Sequence, residues 1–270
     1  LQREARETRE IILDVVHRSG SGHVGGALSQ VEILVALYHR LLRVDPAAPR
    51  WPGRDRFVLS KGHGGLGLAV TLARLGFFPA DDLRHFGRSG GHLGMHMDHA
   101  RVPGVEVSTG SLGHGLGVAV GMALGLRVQG VAARVACLIS DGECYEGSIW
   151  EAALSASAFR LDRLLVVIDR NRMTMDGPTE ASVPLEPLAR KWEAFGFRVH
   201  PCDGHDFESL CRALDEAQGE GSGRPAVVIA ETTKGKGVDF MEGRPEWHYG
   251  ALDSAMFERA IASVRRGGSR

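Results

Sequence analysis

Five short apolar runs, Phe57 to Leu59, Val135 to Ile139, Leu164 to Ile168, Phe197 to His200 and Ala226 to Ala230, alternate with stretches of helical periodicity. This alternation restricts the fold more than any other feature, because strands that recur between helices are joined by crossovers and lie parallel. Four of these runs, all but Phe197 to His200, have no polar interruption, which suits strands covered on both faces. Helical patterns at Gly147 to Phe159 and Phe207 to Gln218 supply such crossovers, and Ala251 to Val264 reads as one closing helix. Ser29 to Arg43 places Ile33, Leu34, Leu37, Tyr38, Leu41 and Leu42 on one face, with Ser29 as the expected amino-terminal cap. Gly115 to Gln129 is small and apolar nearly all round, which predicts a buried helix. The expectation is an α/β fold, a doubly wound, mostly parallel sheet flanked by helices. With no internal repeat or linker, and Glu220 to Gly223 only a loop, residues 1–270 read as a single domain.

Composition excludes several classes of function. Of 270 residues, 43% are hydrophobic and 24% charged, with a formal net charge of −1, so neither a basic excess for nucleic acid nor a membrane span is present in the pattern. Cys137, Cys144, Cys202 and Cys211 lack close-pair metal spacing, and Leu1 opens no secretory leader, so a reduced cytoplasmic setting is expected. Glycine is the outlier at 36 residues, gathered in loops between the apolar runs where a backbone can approach a ligand closely.

The second and third apolar runs end in Ser140-Asp141-Gly142-Glu143 and Asp169-Arg170-Asn171. Parallel strands bring both ends to one edge of the sheet, where open α/β sheets bind ligands. Two side-chain oxygens there suit magnesium, which takes a few protein oxygens together with substrate phosphate oxygens. The arrangement points to a metal-held diphosphate. Taken alone, Asp141-Gly142 is equally an ordinary turn and Asn171 an ordinary loop cap.

The 30-residue spacing from Asp141 to Asn171 resembles the thiamine diphosphate motif of transketolases, with Ser140 in place of the usual first glycine. Further segments resemble the same family in order: Ser21-Gly22-His23, with Val24 for the usual proline; Ser60-Lys61-Gly62-His63-Gly64; Gly91-His92, followed by Leu93 instead of proline; and Ser108 to Gly117, with His114 in a glutamine position. Lys234-Gly235-Lys236-Gly237 with Trp247-His248 completes the set. The resemblance implies a metal site of Asp141, Asn171 and the Met173 backbone oxygen, holding magnesium or, in its place, calcium or manganese. It implies that Gly110, Ser111, Leu112, Gly113, Gly142, Glu143 and Met175 approach thiamine diphosphate, with His63, Lys234 and His248 also against it. Lys61 and Lys234 would help neutralise phosphates. His23, His63, His92 and His248 would serve the chemistry, since each carbon–carbon bond made or broken in two-carbon transfer needs a proton moved at a substrate oxygen. Glu146 corresponds to an acid at the subunit interface of relatives, and is equally a first-turn acid favoured by the helix dipole.

A full-length transketolase continues into a pyrimidine-binding domain and a carboxyl-terminal domain, whereas this sequence stops at Arg270. The resemblance is therefore to the amino-terminal subunit of a split transketolase that shares its cofactor with a separate pyrimidine-domain chain, in a heterotetramer acting on sugar phosphates. Other readings stay open: the α chain of a 2-oxoacid dehydrogenase, a 1-deoxyxylulose-phosphate synthase fragment, or a cofactor-binding paralogue without catalysis. Phe86 to Arg101 departs from the family near the substrate mouth and is the candidate for altered specificity.

Overall fold

In the computed structural model, residues 1–219 and 221–267 are described, so Glu220 of the expected loop lies outside the described residues. The helices are α1 (Gln2–Ser19), α2 (Val24–Ser29), α3 (Val31–Ala36), α4 (Gly65–Leu75), α5 (His114–Val128), α6 (Gly147–Ala158), α7 (Thr179–Ser182), α8 (Leu188–Ala194), α9 (Phe207–Ala217) and α10 (Ser254–Gly267). Between them run β1 (Arg56–Leu59), β2 (Val135–Ser140), β3 (Leu164–Arg170), β4 (Arg198–Asp203) and β5 (Ala226–Glu231). All pairings are parallel and the strand order is β1-β2-β3-β5-β4, so the expected doubly wound sheet is what the sequence forms.

Side chains alternate between two cores, as the pleat requires. Ala136, Leu138, Leu165, Val167 and Val228 face the layer of α1 to α4, α9 and α10, whereas Cys137, Ile139, Val166, Ile168 and Val227 face α5, α6 and α8. Register then aligns the strand ends: Ser140 stands beside Asp169, and Arg170 beside Glu231. β3, β4 and β5 end level with one another and β2 one residue below them, while β1 ends opposite Leu138, so its loop begins lower.

Two helical expectations are corrected. Ser29 closes α2 and caps nothing; its hydroxyl donates to Asp169 Oδ2 at 2.6 Å, and the helical path resumes at Val31 after Gln30. A capping hydroxyl accepts from backbone N–H groups, whereas this one donates to a buried carboxylate in a charge-assisted bond. The expected apolar face of this region is buried, and Leu37–Leu41 winds as a π-helical turn. α5 is buried on one side only, through Leu116, Ala119, Val120, Ala123 and Leu126, while Gly117, Val118, Gly121 and Val128 are exposed. A sequence apolar all round carries no signal separating its core face from its open one.

One ion pair fixes α1 to α3. Glu32 accepts from Arg9 through both oxygens, at 2.5 and 2.6 Å, and from His205 Nδ1 at 2.9 Å. Burial works to raise this carboxyl, but Arg9 and His205 outweigh it and hold it at about 2, against an ordinary 4.5. A folded pKa below the unfolded one contributes stability that is complete above pH 4.5 and is lost as pH falls through about 2. The difference corresponds to about 3 kcal/mol. Glu32→Gln should therefore lower stability most at neutral pH, with the gap to the parent protein shrinking at pH about 3; urea unfolding at both pH values checks this, and an unchanged gap would refute it.

Candidate active site

Four loops meet at the carboxyl edge: Ser60 to Gly64 after β1, Ser140 to Gly142 after β2, Asn171 to Met175 after β3, and Thr232 to Gly237 after β5. Beneath them the Asp169 carboxylate accepts from Lys61 Nζ at 2.5 Å, from Ser29 at 2.6 Å and from Thr232 Oγ1. Burial would raise this carboxyl, but Lys61 overcomes it and keeps it below the ordinary carboxylate range. Lys61 is itself buried and also donates to Gly26 O at 3.1 Å. Its charge is spent inside the protein, and the expectation that it neutralises phosphate is corrected on that ground.

Asp141 is fully buried at the end of β2. Its Oδ1 accepts from Gly142 N at 2.8 Å, and its Oδ2 from Arg172 N at 2.7 Å and Arg170 Nη1 at 3.0 Å. Burial and the Asp169 charge push its pKa up to about 6 against the pull of Arg170. Asn171 Oδ1 accepts from Met173 N at 3.1 Å, so both expected side-chain oxygens sit at one edge on adjacent strands, with spare lone pairs. Arg170, buried and joined also to Glu180 and Glu186, is the partner that sequence reasoning missed. A charged residue inside an apolar strand was the available signal.

The Gly110 to Gly113 turn lies across the edge, and Glu143 holds it. Glu143 accepts from Ser60 Oγ at 2.5 Å, Gly113 N at 2.9 Å and Ser140 N at 2.9 Å. Gly113 has φ 80°, and a Cβ there would stand 2.5 Å from the Glu146 Cβ, so glycine is required twice over. Burial raises the Glu143 carboxyl, opposed by these same donors. With its oxygens engaged by protein donors, Glu143 positions the turn; its side chain is not a group that reaches toward a diphosphate. Gly110, Ser111 and Leu112 are exposed at the rim, and Met175 is 64% exposed. Glu146 is exposed and makes no capping hydrogen bond at the start of α6, so the dipole reading rests on its position alone.

Opposite the turn, imidazoles converge. Ring centroids lie 5.7 Å apart for His23 and His63, 5.5 Å for His23 and His248, and 5.4 Å for His63 and His248. His96 joins them 6.1 Å from His23, while His92 lies against Phe78 and 3.6 Å from Asp82. The structure thus places His23, His63 and His248 together and puts His96 where His92 was expected, with the His96 ring against Gly110 and Met95 O against Gly65. The contiguous Gly91-His92 pair drew attention away from Met95-His96-Met97. Gly25 lets the Trp247-His248 segment sit on α2: a Cβ there would be 2.6 Å from Trp247 O.

The charge of this cluster is suppressed. Burial, then Lys61, lowers His63 to about 2; burial, then Lys234, lowers His248 to about 4; burial, then His96, lowers His23. Burial, then Lys61, brings Lys234 down to about 8. Lys234 Nζ donates to Thr174 O at 2.7 Å and lies 3.1 Å from His248 Nδ1, which fixes that nitrogen as the acceptor and leaves Nε2 carrying the proton. His23 Nδ1 is buried without a partner among the described residues. These groups surround a space that disfavours added positive charge and suits an anion.

Residues 2–266 match the family described as Transketolase, thiamine diphosphate binding domain. The chain belongs to the transketolase family. It is 43% identical over 269 residues to the 6-deoxy-6-sulfo-D-fructose transketolase subunit SqwG of Clostridium sp. (strain MSTE9), covering 100% of this chain and 98% of that one. To one subunit of the apulose-4-phosphate transketolase of Actinobacillus succinogenes it is 44% identical over 266 residues, covering 98% and 96%. Transketolase from Leishmania mexicana superposes with a TM-score of 0.90 at 30% identity, over 100% of this chain but 41% of that one. The chain therefore corresponds to an amino-terminal transketolase subunit, a thiamine diphosphate binding domain of a transketolase-type transferase.

Because Glu143 satisfies three donors, Glu143→Ala should cost about 2–6 kcal/mol, the sum of leaving the Gly113 and Ser140 N–H groups unpaired at about 1–3 kcal/mol each. Urea unfolding measures it, with Glu143→Gln expected to lose less; equal stability of the alanine variant and parent would show that the turn is held some other way.

Proposed function

We propose that this chain binds thiamine diphosphate and magnesium between itself and a separate pyrimidine-domain subunit, and with it moves a two-carbon ketol unit from a ketose phosphate to an aldose phosphate. The observation that carries this reading is the meeting of Asp141 and Asn171 with the cluster of His23, His63, His96 and His248 at one sheet edge. The residues fit the cofactor. An orphaned His23 Nδ1, a Lys234 with lowered pKa and an Asp141 with raised pKa are groups short of, respectively, a partner, an anion and a cation.

Asp141, Asn171 and the Met173 carbonyl would hold the metal, and Lys234 would face the negative charge. The Gly110 to Gly113 turn would bring backbone N–H groups to the diphosphate. Bound thiamine diphosphate supplies the carbon nucleophile that carries the two-carbon unit from donor to acceptor. Neutral imidazoles then have the protein's part of the work: His248, with its Nε2 proton, donates to a substrate oxygen, and His23 and His96 accept or return protons as bonds break and form.

A covering subunit is supported by the open face of α5 and α6. Val118, Val128, Leu154 and Phe159 are exposed there, between 38% and 86%, and substituents on Gly117 and Gly121 would meet no atom within 4 Å. Such a contiguous apolar face suits a lasting interface, and the relatives of matching length are named as subunits. Two copies of each chain are the proposed assembly. The cysteines are free thiols and buried, which supports a cytoplasmic setting, and no described helix is long and apolar enough to cross a membrane.

Two outcomes are expected. With xylulose 5-phosphate, ribose 5-phosphate, thiamine diphosphate and magnesium, this chain should turn over only beside its co-expressed pyrimidine-domain partner, and Asp141→Ala should abolish metal-dependent cofactor binding by the pair. Robust turnover by partner-free protein, or tight cofactor binding by that variant, would contradict the reading. In the same pair His96→Ala should lower kcat/KM by at least about 100-fold and His92→Ala by no more than about threefold, in line with loss of a general acid–base group. The reverse order would return the role to His92.

A further inference from the structure

Away from the histidine cluster, a cavity of about 920 Å³ opens between the first turns of α1, the Lys236 to Glu242 turn and the end of α10. Its floor is built from buried charge: Arg9 and Glu32, paired at 2.5 Å, with His205 donating to Glu32. Its rim is cationic, with Arg3, Arg6, Lys236 and Arg266. The carboxylates nearby leave that charge undercompensated. Glu32 is consumed by Arg9 and His205, Asp239 is shared by Arg259 and Arg266, and Glu242 accepts from Gly237 N while lying 3.7 Å from Lys236. Arg3 reaches only Glu7, at 3.7 Å, and half-buried Arg6 has no ion-pair partner among the described residues.

A cavity of this size holds a metabolite-sized molecule, and a cationic rim above a charge-saturated floor selects its sign. We propose that this cavity binds a small polyanion, of the size of a phosphorylated metabolite, independently of the thiamine diphosphate site. The two sites share one turn of chain. His205 Nε2 accepts from Thr233 N at 2.8 Å, beside Lys234, and Arg9 Nε donates to Lys236 O at 3.0 Å. An occupant drawn to Lys236 therefore touches the segment that positions Lys234.

Calorimetric titration of the full chain with inorganic pyrophosphate, in buffer of low ionic strength stripped of divalent metal, tests this. The parent protein and Lys234→Ala should both show saturable binding of equal strength, and Arg6→Glu/Lys236→Glu should weaken it by about tenfold or more. Arg6→Gln, expected to weaken binding by about threefold, keeps the test open if the charge-reversed variant does not fold. Absence of saturable binding to the parent, or unchanged binding by both rim variants, overturns the proposal. Loss of binding in Lys234→Ala with retention in the rim variants overturns it as well, by assigning the anion to the thiamine diphosphate site.

Discussion

The carboxylate of Asp169 is the point on which the working edge of this subunit depends. It lies at the end of the central strand, wholly buried, and three separate segments reach it: Ser29 from α2, Lys61 from the loop after β1 and Thr232 from the loop after β5. A charge so deep is stable only when paired and fully hydrogen-bonded. That requirement forces the loops after β1 and β5 to converge above β3. His63, Lys234 and His248 are carried on those loops, so their proximity follows from the need to satisfy one anion, whereas His23 enters at the start of α2 and His96 from the segment before α5.

A second consequence is electrostatic. Asp169 is already neutralised by Lys61, and its residual field raises Asp141 alongside it. Arg170 and two backbone N–H groups partly offset this, leaving Asp141 poised near 6, a state that a bound cation would stabilise in its charged form. Across the space, burial and mutual repulsion drive His63, His248 and Lys234 down. The edge is thus built with a cation-seeking oxygen pair on one side and proton-poor nitrogens on the other. A magnesium diphosphate carries both complements.

The five strands, the helices α5, α6, α9 and α10 and the edge that bears Asp141 and Asn171 were legible because they follow from hydrophobic period and parallel connection, which a sequence states locally; α1, α4 and α8 were not read. Family resemblance added His23, His63 and His248, and the structure groups them. Other assignments could not be made locally. Ser29 read as a cap because its acceptor is 140 residues away; Lys61 read as a free cation for the same reason, its partner lying 108 residues on. His92 and His96 are four positions apart in a loop without regular structure, where sequence sets no direction for a side chain. Glu143 was set against the cofactor by its place in the family motif, whereas its donors Ser60, Gly113 and Ser140 come from three different segments.

By itself, then, the sequence determined the parallel α/β sheet and the placement of Asp141 and Asn171 at its carboxyl edge, since each depends on spacing within or between adjacent elements, and its motifs carried the transketolase resemblance. Only the tertiary structure decided which cations are spent on internal anions, which histidine completes the cluster and which face of α5 stands open. Those outcomes depend on burial and on long-range pairing, and a charge or an imidazole acquires its chemical role only when the groups that surround it are fixed.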